Sequence, residues 1–233
     1  MRWAVITFLL ALAVTCALSQ SPDSGLQLIQ EARTTLDNGA LAAARSFWSQ
    51  ETQKNAPDPV AWYQLARVNY YFCESYVLHG DNTRAKEAVD EAIANVQRSI
   101  GLNERSAEAH SLLADLYGRL ISFGGFFSGV KYGPKVSEEN KRALELDGRN
   151  SIVRASLGRQ FLMAPRAFGG DVDKAIESLQ EATRLNPEND EAFVWLALAY
   201  KKKDDATNKD RALREALRLN PHSVFAQRAL GGK

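Results

Sequence analysis

Three alanine-centred segments close on Leu146-Asp147, Leu185-Asn186-Pro187 and Leu219-Asn220-Pro221, and Leu185 and Leu219 stand 34 residues apart. Recurrence at that period means that one supersecondary unit is used repeatedly, and a helix pair stacked on its neighbours fits the length. A single pair cannot bury its apolar face alone, so the repeat specifies an array of pairs with extended open surfaces. Such a chain is expected to hold another molecule rather than to transform one.

Ahead of the array, Arg2 precedes the apolar run Trp3 to Val14, and small residues follow it. This is the pattern of a secretory signal, and Ala17 and Ser19 occupy the small positions before a cut after Ser19. Residues 1–19 are therefore read as a signal peptide, and the protein as exported, periplasmic or secreted. The run is too short to cross a bilayer comfortably, so the mature chain is expected to have no transmembrane domain. Cys16 invites comparison with a lipoprotein signal, but Ala13 stands where Leu is wanted and Thr15 where Gly, Ala or Ser is wanted, so lipid anchoring is weakly supported. After cleavage Cys73 is the remaining cysteine, and stability must come from the core rather than from a disulfide.

Hydrophobic residues make up 45% of the chain and charged residues 24%, the balance of a globular protein. With 29 Lys and Arg against 28 Asp and Glu, the chain exerts no general pull on polyanions, and nucleic acid is set aside as a partner.

No segment sustains the period-two alternation of an amphipathic strand, and nearly every segment reads as helix, so the fold class is all-α. Helices are expected over 24–37 and 41–54, with Asn38-Gly39 as the turn between them, then over 60–76 and 81–99. The first helix of the next pair starts near Ser106 and the second covers 134–146. Further pairs follow Asn150 and Asp171 and then surround Phe193 and Leu213, and a capping helix covers 222–230. In the last full unit, Phe193, Leu196, Ala197 and Tyr200 lie on the first helix and Leu213, Ala216 and Pro221 on the second. The preceding unit gives Leu157, Gly158, Phe161, Ala175, Leu179, Ala182 and Pro187. Upstream, Leu113, Ala114, Tyr117 and Ala143, then Trp62, Leu65 and Ala66, then Gly39, Ala44 and Trp48 repeat the pattern more loosely.

These positions resemble the tetratricopeptide repeat (TPR) family, with departures at Lys209 and Arg154, where the family places an alanine and a bulky residue. The resemblance covers roughly residues 24 to 230 and implies a right-handed solenoid of stacked antiparallel helix pairs. Residues 20–233 are then one degenerate array. Physically, Ala114, Gly158 and Ala197 let paired helices approach closely while the aromatics fill the wedges between pairs.

Function must come from what departs from the repeat. Four aromatics and four glycines crowd residues 123–133, and Ala164-Pro165-Arg166-Ala167-Phe168-Gly169-Gly170 falls at the same inter-helix position one unit later. Both are read as insertions at one edge of the array. The first either folds back to seal its own core or offers Phe126, Phe127 and Tyr132 as contact area, with Lys131 orienting an anionic group. In the second, Phe168 adds a ring and Arg166 a guanidinium suited to a carboxylate. On first helices, Asn69, Arg154, Arg159 and Lys201 are candidate groove positions. The insertions also look like those of the periplasmic TPR protein called the T component of tripartite ATP-independent transporters, which implies a solute-binding-protein partner and a hydrophobic ligand.

An enzyme is the competing class. His79, His110 and His222 are dispersed, no metal, nucleophile-elbow or phosphate-loop pattern is present, and Cys73 has no local base. Glu177 and Glu181 share a helix face with Lys174, which suits solvation. The expectation is a non-enzyme without cofactor or metal that binds a protein or peptide partner. The alternative is a carrier that encloses a small apolar ligand near the aromatic insertion.

Overall fold

The computed structural model describes residues 22–231, so the expected signal peptide and Cys16 lie outside the described residues. Among the described residues there are ten α-helices, one 3₁₀ helix and no strand. They are α1 (Pro22–Thr35), α2 (Asn38–Lys54), α3 (Pro59–Leu78), α4 (Asn82–Leu102), α5 (Ala107–Asp147), α6 (Ser151–Met163), α7 (Val172–Leu185), α8 (Asp190–Lys202), α9 (Ala206–Leu219) and α10 (Val224–Gly231). Each helix packs on the next, while α1 on α3, α3 on α5, α6 on α8 and α8 on α10 stack pair upon pair. This is the antiparallel solenoid that the repeat implies.

Short polar side chains start the helices by accepting from the orphan N–H groups of the first turn. Asp37, Asp58, Asp81, Ser106, Asn150, Asp171, Asn189 and Asp205 all do so. The cap at Asp37 shifts the first turn from its expected place: Asn38 and Gly39 already belong to α2, and the chain reverses at Leu36, whose φ is 49°. Close approach of paired helices is visible at Gly158, where a Cβ would stand 2.5 Å from Leu179 Cγ. The partner helix therefore occupies the space that any larger residue needs.

The segment 123–133 is no loop. The long helix α5 breaks at Gly125 (φ 62°, ψ −144°) into two arms, 107–124 and 126–147, that fold back on each other. Tyr117 stacks on Tyr132 with ring centroids 5.7 Å apart, and His110 Nδ1 lies 2.6 Å from Glu139 Oε2. Those pairs are nearly symmetric about Gly125, which makes α5 a helical hairpin turning on one glycine in a conformation that side chains disfavour. The glycine-rich composition suggests a long loop, yet only Gly125 takes the non-helical conformation. The second segment forms a 3₁₀ helix over Arg166–Phe168, ended by Gly169 at φ 87° and pinned by Asp171 N–H donating to Phe161 O at 2.9 Å.

One apolar cluster runs through α1–α5 and a second through α6–α9. Val224 and Phe225 of α10 pack against the first cluster, although they follow the last repeat. The solenoid thus curls until its two ends meet.

Candidate functional site

Charge also holds the closure. Arg33, near the end of α1, reaches the start of α8, with Nη1 2.8 Å from Asp190 Oδ1 and 3.2 Å from Glu191 Oε1. Tyr71 OH donates to Glu191 Oε1 at 3.3 Å, and Asn220 Nδ2 donates both to Asp190 Oδ2 at 2.9 Å and to Thr34 Oγ1 at 3.1 Å. Burial disfavours charge at Arg33, but Glu191, Tyr71 and Asp190 outweigh it and hold the guanidinium more firmly protonated than usual. Burial likewise works against the Glu191 carboxylate, and Arg33 and Arg159 overcome it, so its pKa lies below the ordinary value.

Inside this closure the first helices of the stack surround a half-open chamber of about 250 Å³. Its wall carries Tyr63, Arg67, Tyr70 and Tyr71 from α3, Asp115 from α5, Arg159 from α6, and Asp190 and Glu191 from α8. Arg159 and Asp115 form a two-pronged ion pair, with Nε donating to Oδ1 at 3.0 Å, and Ser156 Oγ stands 2.9 Å from the same oxygen. Arg159 also lies over the Trp195 ring, 5.7 Å from its centroid. Nearby, Arg119 pairs with the buried Glu74 carboxylate; burial pushes Glu74 up against that pull.

Arg67 differs from its neighbours. Its Nη1 donates to Gln64 Oε1 at 2.8 Å and its guanidinium bonds Tyr71, but among the described residues no carboxylate lies within ion-pair distance. A guanidinium has five donors in a planar fork, so this one has capacity left for an acceptor brought by another molecule.

The register explains how the wall is made. In four successive first helices a charged residue directly follows the small packing residue: Ala32-Arg33, Ala66-Arg67, Ala114-Asp115 and Gly158-Arg159. In α8 the equivalent dipeptide is Ala197-Leu198, and Asp190 and Glu191 at the helix start supply the charge instead. Sequence reasoning named only Arg159 from this set. The signal was present, one place after each small residue, but it emerges only when the units are aligned on the small residue.

The other groove candidates lie elsewhere. Asn69 is 2% exposed and belongs to the packed interior. Arg154 donates through Nε to Gly148 O at 2.7 Å and lines a separate groove beside Phe161 and Lys174, and Lys201 is exposed near the end of α8. His79 bonds its own helix through Ser75 O, and Cys73 is fully buried with its thiol pushed up to about 12 by burial.

The two aromatic segments do meet at one edge. Phe126 and Phe127 stand at the apex of the α5 hairpin, 68% and 84% exposed, and the Phe126 ring lies 6.3 Å from that of Phe168. Tyr132 stacks inward on Tyr117, while Lys131 and Lys135 lie over those rings. Arg166 is exposed on the 3₁₀ turn. Neither the chamber nor the groove at Arg154 is lined by the apical phenylalanines.

A TPR repeat family model matches residues 169–204, and a tetratricopeptide repeat model matches residues 190–223. Over 54 residues the chain is 46% identical to cellulose synthase operon protein C of Escherichia coli K12 and to its putative counterpart in Escherichia coli O157:H7. That stretch covers 23% of this chain and 5% of the length of those relatives. Among solved structures, a thermophilic TPR protein of Thermus thermophilus has a TM-score of 0.65 at 21% identity, over 91% of this chain and 98% of its own. YrrB, a TPR protein with an unusual peptide-binding site, aligns over 94% of this chain and 98% of its own at a TM-score of 0.44 and 18% identity.

The fold is that of a helical-repeat solenoid. The chain carries tetratricopeptide repeats, legible in sequence over residues 169–223, and its fold is that of a TPR protein. TPR proteins bind peptide or protein partners and are typically non-catalytic. Among the described residues no helix is long and apolar enough to cross a membrane.

Proposed function

We propose that this protein is an exported scaffold that holds a segment of a partner protein at its concave face, with an acidic side chain or terminal carboxylate of that segment on Arg67. The observation that carries this reading is the asymmetry of the chamber: Arg33 and Arg159 are committed to Asp190, Glu191 and Asp115, while Arg67 faces the same space with no carboxylate of its own. A desolvated guanidinium gains much from a bidentate acceptor, so the partner's charge would be recognised strongly and with defined geometry. The Tyr70 ring on the same wall adds contact area at little entropic cost, while the Tyr63 ring already lies under the Arg67 guanidinium, 5.9 Å from its centroid. Export rests on the Arg2–Val14 pattern, and a place beside a tripartite ATP-independent transporter rests on the sequence resemblance alone.

A photo-crosslinking amino acid at Ile152, 37% exposed at the chamber rim, tests the reading in cells that produce the protein. The expected result is a discrete protein adduct that disappears in Arg67→Met. An adduct of unchanged yield in Arg67→Met removes Arg67 from recognition, and no protein adduct at Ile152 removes the concave face.

A further inference from the structure

We propose that the tip of the α5 hairpin, together with the adjoining 3₁₀ turn, is a membrane-docking element that seats in the interface of an anionic bilayer. The apolar part is assembled from two segments separated in sequence. Phe126, Phe127 and Val130 project from the hairpin apex, Phe168 joins them through its contact with Phe126, and all four are exposed. A contiguous exposed patch of this kind, rimmed by charge, marks an interaction surface.

Charge and shape identify the occupant. From Leu116 to Ser137, and again from Gly148 to Gly170, the sequence contains no Asp or Glu. The exposed cations on these stretches near the apex are Lys131, Lys135 and Arg166, whereas Arg119 is committed to Glu74. Phe127, Lys131 and Lys135 follow one another at four-residue intervals along the second arm, so they share one helix face. At a rise of about 1.5 Å per residue, Lys131 sits about 6 Å and Lys135 about 12 Å behind Phe127 along the helix axis. That ladder places rings at the acyl boundary and ammonium groups among anionic headgroups when the apex enters by about 5–10 Å. Lysine stems can lie along the apolar zone while their heads stay hydrated. The patch is also convex, the end of a helical hairpin rather than a groove, which suits a deformable interface better than the roughly 800 Å² per partner of a stable protein interface.

Co-sedimentation of the mature chain with phosphatidylcholine vesicles, with and without phosphatidylglycerol, tests the proposal. The expected result is binding to the phosphatidylglycerol vesicles that weakens with salt. Partitioning falls at least about tenfold in Phe126→Ser/Phe127→Ser, in line with the apolar area removed, and the lipid preference is lost in Lys131→Glu/Lys135→Glu. Phe127→Trp provides a second reading that does not depend on loss of binding: its emission shifts to the blue with phosphatidylglycerol vesicles and is quenched by brominated acyl chains. Equal sedimentation of the wild type and the double serine variant overturns the proposal. So does an unshifted Phe127→Trp emission, including the case in which the tip is covered by a soluble protein instead.

Discussion

The concave chamber and the hairpin apex are built partly from one element, α5, yet they are opposite in character. At Asp115 the first arm contributes a half-buried carboxylate matched by Arg159, and ten residues on, at Gly125, the same arm ends beside two exposed phenylalanine rings. The chamber hides charge that needs partners, and the apex displays apolar surface that has none. Both invert the usual placement of polar and apolar groups, and in both places the inversion is tolerated only where something else compensates. In the chamber the compensation is mostly internal, with Arg67 left over; at the apex it must come from outside the chain.

This contrast predicts a graded series of effects on stability. Breaking the chamber's central pair should be most severe: Arg159→Ala strands the half-buried Asp115 carboxylate, and a loss of about 3 kcal/mol, the low end for a buried pair, is expected in chemical denaturation. Arg159→Met/Asp115→Leu should recover much of that loss, because an apolar pair of similar volume avoids the desolvation cost. If the single variant is as stable as the wild type, the ion pair is not shielded from water as described. Next comes packing. Gly158→Val drives a side chain into Leu179, and about 1–3 kcal/mol of destabilisation is expected, read as a lower thermal midpoint.

Acid acts through the closure. A carboxyl whose folded pKa is depressed contributes stability that is complete above its unfolded pKa and is lost as pH falls through the folded value. Glu191 is such a group, so the α1–α8 contact should weaken as pH drops below 4.5, and Glu191→Gln should flatten that part of the midpoint-against-pH curve. Glu74 works in the other direction, since burial favours its protonated form. An acid limb as steep in Glu191→Gln as in the wild type removes Glu191 from the closure. The smallest effect on stability belongs to the apex: Phe126→Ser/Phe127→Ser should stay within about 0.5 kcal/mol of the wild type, as expected for exposed side chains. A larger loss would place these rings in the core.

How much of this the sequence disclosed differs between the two halves of the chain. In α6–α9 Leu179 and Leu213 stand 34 residues apart, and Gly158 and Ala197 stand 39 apart because the insertion at 164–170 lies between them, so period, pairing and packing could all be read. In α3–α5 the helices are longer and the period is stretched, and the glycines at 124, 125, 129 and 133 imitate a loop. Their composition does not reveal that a single positive φ at Gly125 suffices to fold the hairpin. Phe126, Phe127 and Phe168 were recognisable as a departure from the repeat, and their meeting at one edge followed from register. Whether the rings faced inward was beyond reach, because that depends on how far the hairpin outruns α6. The chamber was nearly invisible for a different reason. Arg33 and Glu191 are separated by most of the chain, and curvature that brings α1 to α8 accumulates from small rotations that no local pattern encodes.

The most direct test of the contrast is a pair of photo-crosslinking probes, one at Ile152 on the chamber rim and one at Val130 on the apex, compared in the same producing cells. The account predicts a discrete protein adduct from Ile152 and lipid adducts without a matching protein band from Val130. A protein adduct from Val130 together with none from Ile152 would reverse the assignment of the two surfaces and contradict it.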